Sequence, residues 1–393
     1  VPKYDTYEEA CLNIEHIQYS DKPGVTVAYH GTKKINGQET DIPCIIVGVE
    51  TKIPKEQLNE SELIPSKVYG IPTDIIEFPR FYSSSTCTGG SGAGCSPHDE
   101  RHRPLVGGIS AVEETSTACT LGLIVRDTTD GDLVALTNNH CGGLLYDSYY
   151  MVPTYGNSSV VGLGMMQPSP YDGGGAADLY GSVKRAVAMQ FGTGIGATNL
   201  VDCSISTVPI DGTDFSILEL NEGPFPFVDK SYYSVGEAIY KSGRTTGNTP
   251  PPVTTVSSKS IVVNVDYGGG VGGINNIATF TDQILYTAAT RFSQGGDSGS
   301  AILIFKNGRY RLIGLHFAGD ATGTMGIANP IEDVASLLDI EWWDGSVVVP
   351  YTEDTNIYVN GKEYVRVGST SYDVSHTAGS SSSSSESGSS SSS

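Results

Sequence analysis

The turn Gln294-Gly295-Gly296-Asp297-Ser298-Gly299-Ser300 constrains this chain more than any other stretch. It follows Thr290-Arg291-Phe292-Ser293 and runs straight into Ala301-Ile302-Leu303-Ile304, so a tight glycine-rich corner leads into an apolar strand. Glycine lets the backbone bend until the N–H groups of Gly296 and Ser298 point at one spot, where a developing oxyanion would be held. Ser298, preceded by an aspartate at such a corner, suits a nucleophile. The corner alone is weak evidence, because 48 of the 393 residues are glycine. A second stretch strengthens it: in Leu136-Thr137-Asn138-Asn139-His140-Cys141 a histidine closes an apolar strand. Nucleophile and base together are the minimum for acyl transfer.

Charge removes other classes of function. With a net charge of -21 the surface repels polyanions, so nucleic acid and anionic membranes are not expected partners. No apolar run reaches the length that spans a bilayer, and no signal peptide is visible. The chain is long enough for two or three domains, and its 48 Gly and 22 Tyr lean toward β structure with many turns.

Thr137-Asn138-Asn139-His140-Cys141 taken with Gly295-Gly296-Asp297-Ser298-Gly299-Ser300 resembles the trypsin-like (chymotrypsin-fold) serine endopeptidases, most closely in wording a bacterial branch. The resemblance covers roughly residues 105 to 340 and, more faintly, 22 to 80. It implies a mainly β fold of two six-stranded-type antiparallel β-barrels of the chymotrypsin type; the residues themselves add a small α/β domain before them and a C-terminal hairpin and disordered Ser-rich tail after them. It further implies His140 as base, Ser298 as nucleophile, an oxyanion hole from Gly296 and Ser298, a protein or peptide substrate, and no metal or organic cofactor. The third member must be an acid that holds the imidazole tautomer. Asp202, among apolar neighbours in Leu200-Val201-Asp202-Cys203, is favoured, and Asp178 in Ala176-Ala177-Asp178-Leu179 is the alternative.

The same resemblance assigns the substrate strand to Leu312-Ile313-Gly314-Leu315-His316-Phe317-Ala318-Gly319. There the backbone of Phe317, Ala318 and Gly319 would pair with an extended peptide. It places Ser293 and His316 in the wall of the primary pocket, where a hydroxyl beside an imidazole suits glutamate or glutamine before the cut, as in glutamyl endopeptidases. Phe292 at the pocket floor disfavours Arg or Lys. Trypsin-like enzymes also carry a disulfide in the arrangement of Cys119 and Cys141, and Cys87 with Cys95 could close the glycine-rich loop between them, a gain of about 2–3 kcal/mol. Bridges imply an oxidising compartment, hence a secreted or cell-surface protein. Cys203 reads as a small buried hydrophobe.

Along the chain, residues 1–100 read as an α/β leader domain and linker. It has strands at 25–28 and 41–49 joined by an Asn36-Gly37 turn, a short helix at 54–58 and a further strand at 71–78. This leader is a prodomain, a docking module, or a packing domain with no activity of its own. His98 and His102 are four apart, the spacing of two ligands on a helix face, but no third ligand pattern accompanies them and a loop is expected. Val106-Gly107-Gly108-Ile109 is not expected to be an activation cleavage site. Residues 101–343 are the expected protease domain, in which Lys241-Ser242-Gly243-Arg244-Thr245-Thr246-Gly247 reads as a structural hairpin. Asn329 is expected to cap the closing helix through Leu338. Residues 344–378 form an expected β extension with a hairpin about Asn360-Gly361, a candidate surface for self-association, and 379–393 are a low-complexity tail. The alternative to a protease is a surface or assembly protein that uses the fold as a binding module.

Overall fold

A computed structural model describes residues 22–83 and 96–343, with gaps of which 269–276 is the longest, and five short strands between 347 and 372. Aliphatic and β-branched runs such as Leu133–Thr137 and Ala301–Lys306 form its strands, and two antiparallel barrel sheets result. In the first, Leu123–Asp127, Leu133–Thr137, Ser204–Thr207, Leu179–Ala186, Gly164–Met166 and Val112–Glu113 lie side by side. In the second the order is Ile239–Gly243, Ala301–Lys306, Arg309–Asp320, Met325–Pro330, Ile277–Ala288 and Thr254–Asp266. A bridge between Ala238 and Thr255 returns the last of these strands to the first and closes the ring.

Each barrel has its own filling, and a third cluster joins them. Ile109, Leu121, Ile124 and Met165 fill the first, while Ile239, Val256, Ile284, Ile302 and Ile313 fill the second. Between the barrels Leu123, Leu136, Ile205, Leu303 and Leu315 pack under Ile331, Val334 and Leu338 of the helix Ile331–Leu338. Each such side chain stabilises the fold by about 1.5–3 kcal/mol on burial, so the helix fastens the two halves. The expected Asn329 cap is absent: Pro330 occupies the cap position with extended backbone, and Asn329 belongs to the preceding strand, its side chain engaged elsewhere.

The leader strands are longer than expected, and they are attached. Val25–Ile35 pairs with Gln38–Val49, which runs parallel to Ile71–Glu77. The first of them also pairs with Ile261 to Val263 of the second-barrel strand Thr254–Asp266, so the leader prolongs that sheet. This explains why Ile261-Val262-Val263 is buried on both faces. The short helix expected at 54–58 is one 3-10 turn, Lys55–Gln57, without a buried residue to hold it longer. Phe81–Ser83 then wedges between Val265-Asp266, to which it is parallel, and Ala318 to Asp320, to which it is antiparallel. Phe81 is fully buried in a cluster with Phe78, Val263, Val265 and Phe317.

The chain divides into two compact units, Val1–Trp343 and Asp344–Ser393. In the second, Ile357–Val359 pairs antiparallel with Lys362–Tyr364, and Ser371–Tyr372 pairs with both Val347–Val348 and Arg366–Val367. Cys87, Cys95 and the Ser-rich tail lie outside the described residues. Among the described residues no helix is long and apolar enough to cross a membrane.

Candidate active site

His140 sits on a single helical turn, Asn139–Gly142, which begins where the strand Leu133–Thr137 ends. The disulfide Cys119–Cys141 ties that turn to the residue just before the strand Thr120–Leu121. Asp202 precedes the neighbouring strand Ser204–Thr207, and its carboxylate is turned under the same helical turn. Oδ1 accepts the backbone N–H groups of Asn139 at 2.7 Å and His140 at 3.1 Å. Oδ2 lies 2.5 Å from His140 Nδ1 and accepts the Tyr267 hydroxyl at 2.8 Å. Both residues are buried. An ionised Asp202 is acceptor-only, so Nδ1 carries the proton and Nε2 has its lone pair free. That Nε2 is buried and finds no hydrogen-bond partner among the described residues.

The backbone of Asp202 is held independently of its carboxylate. Its N–H donates to Asn329 Oδ1 at 3.1 Å, and its carbonyl accepts Asn138 Nδ2 at 2.8 Å. Asn329 in turn donates to Gln283 Oε1 at 2.7 Å. The Asn329 side chain expected to cap a helix thus anchors the aspartate loop. Asp178 lies elsewhere, paired with Arg101 at 2.9 Å and accepting the Gly175 N–H.

The Ser298 turn is gripped from the first barrel. Thr120 donates its N–H to the Ser298 carbonyl at 2.7 Å and its hydroxyl to the Gly296 carbonyl at 2.8 Å, and Cys141 Sγ lies 3.8 Å from the same Ser298 carbonyl. Gly299 has φ of +94°, and a Cβ there would come within 2.1 Å of the Thr120 carbonyl, so glycine is required on both counts. Ser298 is fully buried, and its hydroxyl reaches the Phe317 carbonyl at 3.4 Å rather than His140.

Asp297 fixes the shape of the turn from within. Its carboxylate accepts the N–H groups of Thr245, Thr246 and Gln294 at 2.9, 3.1 and 2.9 Å and the Thr246 hydroxyl at 2.8 Å. Lys241 Nζ stands 3.3 Å away, and both charged groups are fully buried. Burial alone would raise the Asp297 carboxyl, but the Lys241 charge and these hydrogen bonds outweigh it and hold it below the usual carboxylate range. The hairpin Ile239–Gly243 with Gly247–Thr249 therefore supplies the counter-charge, while Leu105–Gly107 is an uninterrupted strand.

Ser293, His316 and Gly319 lie side by side and are buried. A Cβ on Gly319 would lie 3.0 Å from Ser293 Oγ and 3.9 Å from His316 Cε1. His316 pairs through Nδ1 with the Tyr286 hydroxyl, and its buried Nε2 has no hydrogen-bond partner. Burial, helped by the Lys241 charge, pushes the His316 imidazole down to about 3, and burial pushes the Tyr286 phenol well up, so both are neutral. Phe292 packs against Tyr286 behind them.

The edge of Ala318 and Gly319 that the sequence reading gives to a peptide is filled by the chain itself, with Ser83 opposite Ala318 and Tyr82 opposite Gly319. Elsewhere, His98 Nδ1 contacts the Gly108 carbonyl and His102 Nε2 that of Pro97, so the two histidines share no ligand position. Three residues act at the site in roles the sequence does not show: Tyr267, Lys241 of the expected structural hairpin, and Asn329, the expected helix cap. Only Lys241 carried a signal, a lysine in the apolar strand Ile239–Gly243.

No protein-family model and no curated protein matches the chain. Comparison with solved structures finds a glutamic-acid-specific serine protease, described as using a histidine triad in substrate binding, at 21% identity and a TM-score of 0.39 over 61% of this chain and 100% of that one. Protease A of Thermobifida fusca follows at 19% and 0.38 over 61% and 97%. A Nocardiopsis protease is similar at 15% and 0.38 over 61% and 98%.

Proposed function

We propose that the chain is a serine endopeptidase. Ser298 Oγ attacks the scissile carbonyl while His140 Nε2 takes its proton and later returns it to the leaving amine. Asp202 holds Nδ1–H and stabilises the imidazolium, and the N–H groups of Gly296 and Ser298 receive the oxyanion. The observation that carries this reading is the His140 Nδ1 to Asp202 Oδ2 contact of 2.5 Å, which leaves Nε2 as an open acceptor on the helical turn whose Cys141 Sγ contacts the Ser298 carbonyl. Residues 101–343 are the protease domain on this reading, and the protein is secreted.

The grouping of Ser293, His316 and Gly319 supports a preference for glutamate before the cut. When the Tyr286 hydroxyl donates a hydrogen bond to His316 Nδ1, the neutral ring carries its own proton on Nε2, and Ser293 Oγ beside Gly319 is a second donor.

A second reading, a binding module on a protease fold, draws on two observations. Ser298 rests on the Phe317 carbonyl, and Phe81–Ser83 fills the peptide edge. One experiment separates them: labelling of the folded full chain with a fluorophosphonate, alongside Ser298→Ala and His140→Ala, followed by hydrolysis of short and extended peptides with Glu, Gln, Phe or Arg before the cut. The protease reading expects labelling that needs both residues and fastest cleavage after Glu. Labelling with slow turnover of extended peptides would assign the filled edge a restraining role. A folded chain that never labels sinks the protease reading in favour of the module.

A further inference from the structure

The Asp202 carboxylate receives one donor that the usual division of labour between base and acid does not require. Oδ1 is saturated by two backbone N–H groups of the His140 turn itself, and Oδ2 faces His140 Nδ1. The fourth donor is the Tyr267 hydroxyl, 2.8 Å from Oδ2, and it comes from the other barrel. Tyr267 directly follows the strand Thr254–Asp266, is 4% exposed, and packs its ring edge-on to His140 at 5.7 Å and to Phe191 at 5.5 Å. Its place depends on the leader, because Phe81 and Tyr82 pair with Val265 and Asp266 immediately before it.

We infer that Tyr267 is a positioning residue that sets how strongly Asp202 supports a charge on His140; this rests on the protease reading above. A phenol donating to Oδ2 withdraws electron density from the oxygen that faces Nδ1 and stops the carboxylate from rotating out of the imidazole plane. The first effect makes Asp202 a weaker partner for imidazolium and so keeps His140 easier to deprotonate. The second keeps the Nδ1 tautomer fixed, which leaves Nε2 ready as acceptor. Among the described residues the titratable groups that face His140 are Asp202, Tyr267 and, through its field, His316, which burial keeps neutral.

The test is Tyr267→Phe in the full chain, which keeps the ring and removes only the hydroxyl. Ring NMR titration of His140, assigned with His140→Ala, reads the inference without needing turnover. The apparent pKa of His140 should rise by about 0.5–1 unit in Tyr267→Phe. In the same protein kcat/KM should fall about tenfold through kcat, with its acid limb displaced upward by the same amount and KM unchanged. An unchanged His140 titration overturns the inference, even if activity falls. Tyr267→Leu, which also loses the ring, separates packing from the hydroxyl: the inference expects the same His140 shift there, and a shift confined to Tyr267→Leu counts against it. Failure of the protease reading looks different, since His140 would then shift in Tyr267→Phe while the wild type neither labels nor cleaves.

Discussion

Asp202 and Asp297 are both fully buried and each accepts four hydrogen bonds, yet their charges are balanced in opposite ways. Asp297 has a lysine, Lys241, 3.3 Å away and equally buried, so its counter-charge stands beside it and does not depend on the protonation of His140. Asp202 faces only an imidazole and a phenol, and its counter-charge exists only while His140 holds a second proton. A carboxylate paired with a lysine is suited to holding a backbone turn, since the pair takes no part in moving the proton of His140. A carboxylate whose partner titrates is suited to chemistry, because the pair becomes favourable at the moment the base takes a proton. The two aspartates thus divide the labour: one shapes the Ser298 turn and the other answers His140.

The sharpest way to break this comparison is to exchange charge for shape at each. Asp202→Asn keeps the size of the side chain but favours the wrong imidazole tautomer, and kcat/KM should drop about 10⁴-fold with the unfolding midpoint little changed. Lys241→Met should do the reverse. It leaves Asp297 charged and unpaired, which costs about 3–5 kcal/mol of stability in a denaturant titration. Adding Asp297→Asn to Lys241→Met should restore most of that loss; if it does not, the lysine acts through packing against Phe292 rather than through charge.

These roles were unequally visible in the sequence. The corner at Ser298, the strand-ending His140, the apolar setting of Asp202 and the bridge between Cys119 and Cys141 are local patterns, readable from neighbours along the chain or from family resemblance. Lys241, Tyr267 and Asn329 act on residues more than fifty positions away, through strands whose pairing no local rule reveals. Lys241 was visible as part of a hairpin, but a hairpin does not say which turn lies beneath it. Asn329 before Pro330 matches a helix start so well that its other use stayed hidden. The leader misled for the same reason: its strands satisfy the pattern of a separate unit, and only their pairing with Thr254–Asp266 makes them part of the second sheet.

His316 extends the comparison to an imidazole under the influence of the same lysine. Its folded pKa of about 3 lies below the unfolded value of about 6.5, so below pH 6.5 the unfolded chain gains a proton that the folded one refuses. Stability present above pH 6.5 is therefore lost as pH falls toward 3, by at most about 1.4 kcal/mol per unit. His316→Gln should flatten unfolding free energy against pH across that window. A slope that persists would mean that groups other than His316 govern it.

The smallest expected effect concerns the anchor that Asp202 alone possesses. Asn329→Ala strands the Asp202 N–H and the Gln283 Oε1, both buried, and each orphan costs about 1–3 kcal/mol unless water enters. The carboxylate keeps all four of its own donors, two of which belong to the His140 turn, so the geometry toward Nδ1 is set on the first-barrel side. Stability should fall while kcat/KM stays within about threefold of wild type, since orientation and not backbone tension governs the tautomer. If kcat/KM falls instead as far as in Asp202→Asn, the backbone anchor positions the acid, and control of His140 lies with the second barrel. The hydroxyl of Tyr267 and the amide of Asn329 would then be two halves of one device, through which the second barrel acts on the base.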